Sequence, residues 1–303
     1  MSEPKRAGST RAFYERYHFP GHRPVDQDGL IFLRHFSKAL EQQCGDDARR
    51  PCRVLDAGCG TGNTSVSLAR RFTDVSFLGI DRSRRSLALA RGAARSEGLK
   101  NVRFRGWDLL VPLPPEDRYD IVLCLGVLHH TPDMARVLRN LRRALKRPGR
   151  LFLWIYGKHG RYNHTLNRRA LAYLVATLPP RKALDVATAF VHDGGTGQAL
   201  ADLVGKVPVT TLQREAFESP VWIADQFLVP HEDLLDMEGL LALVQRTGFT
   251  VECDIGRHAV KEDWCSVPVL RDRLRRLPAR EQLIVQDLLA KPERYFVILR
   301  PID

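Results

Sequence analysis

No run of the 303-residue sequence approaches the roughly 18 consecutive apolar residues of a membrane-spanning helix, and the opening MSEPKRAGSTR lacks the apolar stretch of a secretory signal. These absences predict a cytoplasmic protein with no membrane partner. The six cysteines (Cys44, Cys52, Cys59, Cys124, Cys253, Cys265) form no C-x-x-C pair, which argues against a zinc knuckle or a disulfide framework and predicts reduced, buried thiols. No carboxylate-histidine cluster has ligand spacing, so no metal is expected. Internal repeats and low-complexity segments are absent as well.

What is present fits an ordinary globular chain. The apolar fraction is 44% and the charged fraction 27%, enough to bury a sizeable core. The length lies near the upper limit for one core, which predicts one large domain carrying insertions. The net charge of +12 and pI near 9.7 suit an anionic partner such as nucleic acid, a phosphorylated substrate or an acidic protein. Arginines such as Arg70, Arg142, Arg168 and Arg169 nevertheless fall where solvated helix faces are expected.

The first ten residues read as a mobile tail. Leu30, Phe32, Leu33, Phe36 and Leu40 then recur at helical spacing and predict a helix over 27–43. Strands are expected at 52–57, 75–80, 102–106, 120–125 and 150–156, alternating with helices at 64–71, 83–97 (opened by a serine cap) and 133–146. After Tyr156 the rhythm changes to a mostly helical stretch with a turn cluster at 192–197. A helix at 234–246, a strand at 249–255, a helical excursion over 270–290 and a final strand at 295–299 follow. Such alternation predicts an α/β fold, a doubly wound, mostly parallel sheet covered by helices on both faces. The expected divisions are 1–50 (tail and lid helix), 51–156 (core), 157–230 (helical insertion or cap) and 231–303 (the rest of the core).

The sharpest signal is VLDAGCGTGNTS, a strand ending in Asp56, then Gly58, Gly60 and Gly62, then a helix. Glycines are needed where a backbone turns tightly and approaches a ligand closely. A dinucleotide fold asks for G-x-G-x-x-G with pyrophosphate on the helix N-terminus. Here the pattern is D-x-G-x-G-x-G, and the acid suits the ammonium end of an amino acid better than a phosphate. Asp81, closing the second strand, is placed to accept both hydroxyls of a ribose.

Together these residues resemble motif I and its sequel in class I S-adenosylmethionine-dependent methyltransferases, over roughly Arg53 to Tyr156. The resemblance implies a seven-stranded sheet whose last strand lies antiparallel between the fifth and sixth, with S-adenosyl-L-methionine as cofactor. It places the cofactor on Asp56, Gly58, Cys59, Gly60, Gly62 and Asn63, on Asp81 with Arg82, on Trp107 and Asp108 beside the adenine, and on Gly126 and Leu128 of the GVLHH stretch. After the fourth strand there is neither the Asn-Pro-Pro-Tyr stretch of nucleobase and glutamine amide methylators nor the Pro-Cys dipeptide of cytosine-carbon enzymes.

Methyl transfer needs an in-line nucleophile and the exclusion of water, and a base only for some acceptors. His129 and His130 are the candidate bases, or else pack beneath the cofactor or cap the following helix, and Tyr156 shares their rim. Arg161 and Tyr162 follow it and either hold an anionic substrate group or form a solvated loop. Trp222 and Asp225, in SPVWIADQFLVP, either line an acceptor pocket or belong to the core. Tyr14 and Tyr17 either fold over the cofactor as a lid or pack on the first helix. The expected acceptor is an oxygen, nitrogen or activated carbon of a small molecule. RNA is the alternative acceptor, and a non-catalytic cofactor-binding scaffold the alternative class. Oligomeric state is not encoded in any motif.

Overall fold

Near-continuous apolar strands alternating with amphipathic helices can be buried only by stacking helices on both faces of one sheet. The computed structural model describes residues 9–19, 27–44, 52–192, 219–255 and 267–302. The expected tail over residues 1–8 and the turn at 193–197 lie outside them. β1 (Arg53–Ala57), β2 (Ser76–Asp81), β3 (Val102–Gly106), β4 (Tyr119–Leu125) and β5 (Leu145–Tyr156) run parallel. β7 (Arg294–Pro301) enters antiparallel between β5 and β6 (Phe249–Asp254), giving the order β3-β2-β1-β4-β5-β7-β6. The order reverses between β1 and β4, so a crevice opens beyond their carboxyl ends.

The described helices are α1 (Thr10–Arg16), α2 (Gln27–Cys44), α3 (Asn63–Arg71), α4 (Arg84–Ser96), α5 (Met134–Ala144), α6 (Tyr162–Val175), α7 (Pro180–His192), α8 (Pro220–Ile223), α9 (Met237–Arg246), α10 (Pro268–Arg275) and α11 (Ala279–Ala290). One core joins Phe36 of α2, Leu68 of α3 and Ala90 of α4 to Phe77 and Phe152 of the sheet. The other joins Leu141 of α5 and Leu240 of α9 to Val122, Leu153 and Val297. A third, smaller core packs Leu171, Ala187, Ile223 and Phe227 together, with Phe13 and Phe19 resting on it. The helical segments at the edge of the crevice are thus anchored on apolar contacts of their own.

Boundaries shift for local reasons. The helix expected from 234 begins at Met237 because Asp236 caps it, accepting the Gly239 N–H at 2.9 Å, while Leu235 bridges to Gly157. The excursion at 270–290 is two helices, since Pro278 disfavours helix at the residue before it. β5 starts at Leu145, which shortens α5 to Ala144. Helix α1, opened by a Ser9 cap, had no periodic signal of its own. The expectation of reduced thiols fails at Cys52, which is disulfide-bonded; a cystine requires only that two Cα atoms approach within about 7 Å, which residue spacing does not reveal. Cys59, Cys124 and Cys253 are free.

Candidate active site

Beyond Asp56 the chain passes through Gly58, Gly60 and Gly62 at φ of 81°, 51° and 83°, a region closed to most side chains. A Cβ on Gly58 would lie 2.5 Å from a Val127 methyl, and one on Gly62 2.7 Å from the Ala90 Cβ. The first glycine therefore presses the loop against the segment after β4, and the last seats α3 on α4. Asp56 is buried and accepts the Ser65 hydroxyl at 2.6 Å; burial lifts its carboxyl to about 6. Such a carboxylate is poised for a cation.

Asp81 binds the loop to the start of α4, accepting the Gly60 N–H at 3.0 Å on Oδ2 and the Ser83 N–H at 2.8 Å on Oδ1. Each oxygen retains lone-pair capacity toward a diol. At the end of β3, Asp108 pairs with Arg82 at 3.5 Å, and Trp107 packs on the core while donating its indole N–H to the Val111 carbonyl at 3.0 Å. Asp56, Gly58, Cys59, Gly60, Asn63, Asp81, Arg82, Trp107, Asp108 and Gly126 line one cavity of about 880 Å³ at the carboxyl edge of the sheet, and Gly62 does not.

The same cavity continues to Tyr14, His130, Tyr156 and Asp225. Asp225 lies in a π-helical turn at 224–228, directly after α8, and accepts the Tyr14 hydroxyl on Oδ1 and the Gln226 amide on Oδ2, both at 2.8 Å. Gln226 also donates to the Tyr156 oxygen at 2.8 Å and accepts from Arg161 at 3.1 Å. Behind it, Glu232 meets Arg168 at 2.5 Å and Arg161 at 3.7 Å. Burial alone raises the Glu232 carboxyl, but the two guanidinium groups bring it below its ordinary value. Arg168 is therefore not on a solvated face: a buried carboxylate draws it inward.

Helix α1 crosses the cavity from one end to the other. Glu15 accepts the N–H groups of Arg84 at 2.7 Å and Arg85 at 3.3 Å, capping α4, while the adjacent Tyr14 reaches Asp225. Tyr14 thus lies over the cavity, whereas Tyr17 turns away and donates to the Pro180 carbonyl at 3.2 Å.

The two histidines separate. His130 lines the cavity, and its Nδ1 lies 2.9 Å from the His231 carbonyl. A carbonyl only accepts, so Nδ1 carries the proton and Nε2 is left as an acceptor. His129 is fully buried behind it, its ring 4.1 Å from that of Tyr156, and burial holds it well below its ordinary value, so it stays neutral. Leu128 is core, Trp222 belongs to the third core, and Tyr162 is exposed, none of them on the cavity wall. Arg161 is buried, its guanidinium 3.7 Å from the Tyr156 ring centroid, and reaches the cavity only through its neighbours. Gln226, Glu232 and Glu15 had not been singled out. For Gln226 a signal exists: Asp225-Gln226 is a polar pair inside an apolar run.

Residues 49–169 match the family model for a methyltransferase domain. The core of this chain is a class I methyltransferase domain. Curated relatives include a ubiquinone biosynthesis O-methyltransferase of Acinetobacter baumannii (strain ACICU), 31% identical over 178 residues, 56% of this chain and 65% of that protein. A protein of the same description from Aeromonas salmonicida (strain A449) is 33% identical over 143 residues, 46% of this chain and 54% of that one. The chain spans no more than 65% of the length of these relatives. Among solved structures, PKMT2 from Rickettsia typhi superposes with a TM-score of 0.67 at 16% identity, over 93% of this chain and 55% of that one. The [4+2]-cyclase SpnF does so with 0.50 at 16% identity, over the whole of both chains. A cyclase on this fold makes plain that the reaction has to be argued from the site.

No described helix is long and apolar enough to cross a membrane. Among the described residues no cluster of histidine, cysteine and carboxylate side chains is placed to hold a metal.

Proposed function

We propose that this chain transfers a methyl group from S-adenosyl-L-methionine to a small-molecule acceptor. The observation that carries this reading is the continuity of one cavity from the glycine turn and Asp81 to Tyr14, His130, Tyr156 and Asp225. Its volume of about 880 Å³ is near the top of the roughly 300–1,000 Å³ range of ligand pockets, room for a cofactor and a small acceptor together. The cofactor fits the residues present: Asp56 takes the ammonium group, the glycine turn the close approach, Asp81 the ribose hydroxyls, and Asp108 with Trp107 the adenine. When bound it supplies an electrophilic methyl group on a sulfonium.

The remaining work belongs to the protein. Tyr14 and α1 cover the cavity and limit water, the aromatic wall of Trp154 and Tyr156 orients the acceptor, and His130 takes its proton on Nε2. RNA as acceptor wants an open basic groove, and α1 crossing the cavity argues against one. The descriptions of the curated relatives add weight to a small acceptor.

Calorimetry with S-adenosylmethionine and S-adenosylhomocysteine tests the reading. Micromolar binding is expected, weakened at least about tenfold, or about 1.4 kcal/mol, in Asp81→Asn with its fold checked by circular dichroism. No binding by a folded wild-type protein would overturn it. Binding with no labelled methyl transfer to any acceptor would favour the scaffold.

A further inference from the structure

We infer that the site is built to read a hydroxyl group on its acceptor, and that Gln226, which does not line the cavity, is the positioning residue that sets this preference. The inference rests on the methyltransferase reading and goes on to name the acceptor's chemistry.

The argument starts from the Gln226 side chain, whose orientation is fixed at both ends. Its Oε1 faces an Arg161 nitrogen at 3.1 Å, and arginine can only donate. Its Nε2 faces the Asp225 carboxylate at 2.8 Å, which can only accept when ionised. The amide is therefore oriented without ambiguity, and Nε2 also donates to the Tyr156 oxygen at 2.8 Å. Having accepted that bond, the Tyr156 oxygen keeps its own proton free, and no acceptor for it is found among the described residues. Arg161, stacked on the ring at 3.7 Å, holds the phenol in place. His130, committed through Nδ1–H to the His231 carbonyl, offers only its Nε2 lone pair. The two rings stand 6.2 Å apart, nearly perpendicular, on one wall of the cavity.

Tyr156 and His130 thus present one donor and one acceptor side by side. A hydroxyl has one proton and two lone pairs: the proton goes to His130 Nε2, one lone pair accepts from Tyr156, and the other is left to attack the methyl carbon. A neutral amine has a single lone pair, and a hydrogen bond from Tyr156 would consume the electrons that the attack needs. A carbon acid can engage Tyr156 only through its neighbouring carbonyl, which draws the C–H away from the point where a hydroxyl proton would meet His130. Asp225 also faces the cavity, but its two oxygens are engaged by Tyr14 and Gln226, so it offers its remaining lone pairs beside the His130–Tyr156 pair without replacing either member. In the transfer the new bond joins oxygen to carbon, the sulfur–methyl pair stays on sulfur, and the proton ends on His130. Burial holds that imidazole below its ordinary value, so acidic hydroxyls, phenols or enols, suit it best.

The test uses three probes of one shape, 4-nitrophenol, 4-nitroaniline and 4-nitroanisole, titrated into protein saturated with S-adenosylhomocysteine. The phenol is expected to bind at least about tenfold tighter than the other two, since a site with paired polar groups rejects analogues that leave them unpaired. In Gln226→Glu the new carboxylate accepts the Tyr156 proton and turns it from the cavity. The preference should fall below about threefold while S-adenosylhomocysteine binds as in wild type, a readout that a purely structural role would not move. Gln226→Leu, which offers no acceptor, leaves the Tyr156 proton free but unoriented, and the preference should fall by less than in Gln226→Glu. Nitrogen-15 spectra of histidine-labelled protein should show His130 protonated on Nδ1 alone. Equal binding of the three probes, preference for the aniline, binding of none by cofactor-loaded protein, or a proton on Nε2 would each overturn the inference and leave the methyltransferase reading standing. Failure to bind S-adenosylhomocysteine would overturn both.

Discussion

At one end of the cavity Asp81 accepts a main-chain N–H from Gly60, 21 residues away in sequence, and another from Ser83; at the other end Asp225 accepts a hydroxyl from Tyr14, 211 residues away. The first end is made of backbone, so its requirements fall on glycines and on strand ends. The second is made of side chains drawn from α1, β5, the segment after β4 and the turn at 224–228. A backbone cradle suits an invariant ligand, whereas a side-chain cradle can be rebuilt for each acceptor. The difference predicts that substitutions at the two ends separate binding of the cofactor from turnover.

The largest separation is expected at His130. His130→Ala should lower turnover by roughly a hundred- to ten-thousandfold, the usual weight of a general base. Its S-adenosylhomocysteine affinity should stay within about twofold, a difference of only some 0.4 kcal/mol. In the wild-type protein burial lowers the His130 pKa, while Asp225, Glu232 and the His231 carbonyl raise it in part and Arg168 opposes them. The imidazole is therefore neutral and competent at pH 7, and turnover should fall only as the pH drops through that lowered value. A variant that keeps full turnover, or an acid limb above the ordinary histidine range, would break the comparison, because the far end would then only orient.

The same contrast governs how much could be read from residues alone. The strands themselves and the glycine turn were legible because each is written within a few consecutive residues, whereas the antiparallel place of the last strand followed only from the family resemblance. The helix cap was visible at Ser83, where a short polar side chain precedes the helix, whereas Asp133, read as the first helical residue, is the cap of the next one. His129 and His130 are adjacent and chemically alike, and only the fold turns one toward the cavity and the other into the wall. Gln226 gains its meaning from Arg161 and Tyr156, which lie 65 and 70 residues away, and no spacing rule joins them. Arg168 likewise was misplaced, because its partner Glu232 belongs to another segment.

The middle of the range belongs to Asp56. Its carboxyl stands at about 6 in the folded protein against roughly 3.9 in an unfolded chain. A carboxyl raised on folding favours the folded state when protonated, so its contribution is full below about pH 4 and is lost as pH rises through about 6. At pH 7 the buried charge costs about 2–3 kcal/mol. Asp56→Asn should therefore raise the unfolding free energy of cofactor-free protein at pH 7 by up to about that amount, with the gain vanishing near pH 4. Affinity for S-adenosylmethionine should fall at least about tenfold, since the cation loses its partner. Denaturant titrations at the two pH values, with calorimetry, check both signs. An unchanged affinity would show that Asp56 shapes the turn without meeting the ligand.

The smallest effect probes the element that touches both ends. Glu15 caps α4 beside Asp81, and its carboxyl is held below the ordinary range by the Arg84 N–H. Glu15→Ala removes an anion from a helix N-terminus and should speed release of S-adenosylhomocysteine by about two- to fivefold. Tyr14→Phe removes the contact of α1 with Asp225, at the opposite end of the cavity, and should act mainly on the acceptor. If α1 moves as one rigid piece, the double variant should depart from the product of the single effects, as neighbouring groups in one network do. Stopped-flow release rates for the four proteins decide it: simple multiplication would mean that the two ends open independently, and that the backbone-built and side-chain-built halves of the cavity are coupled by shared space alone.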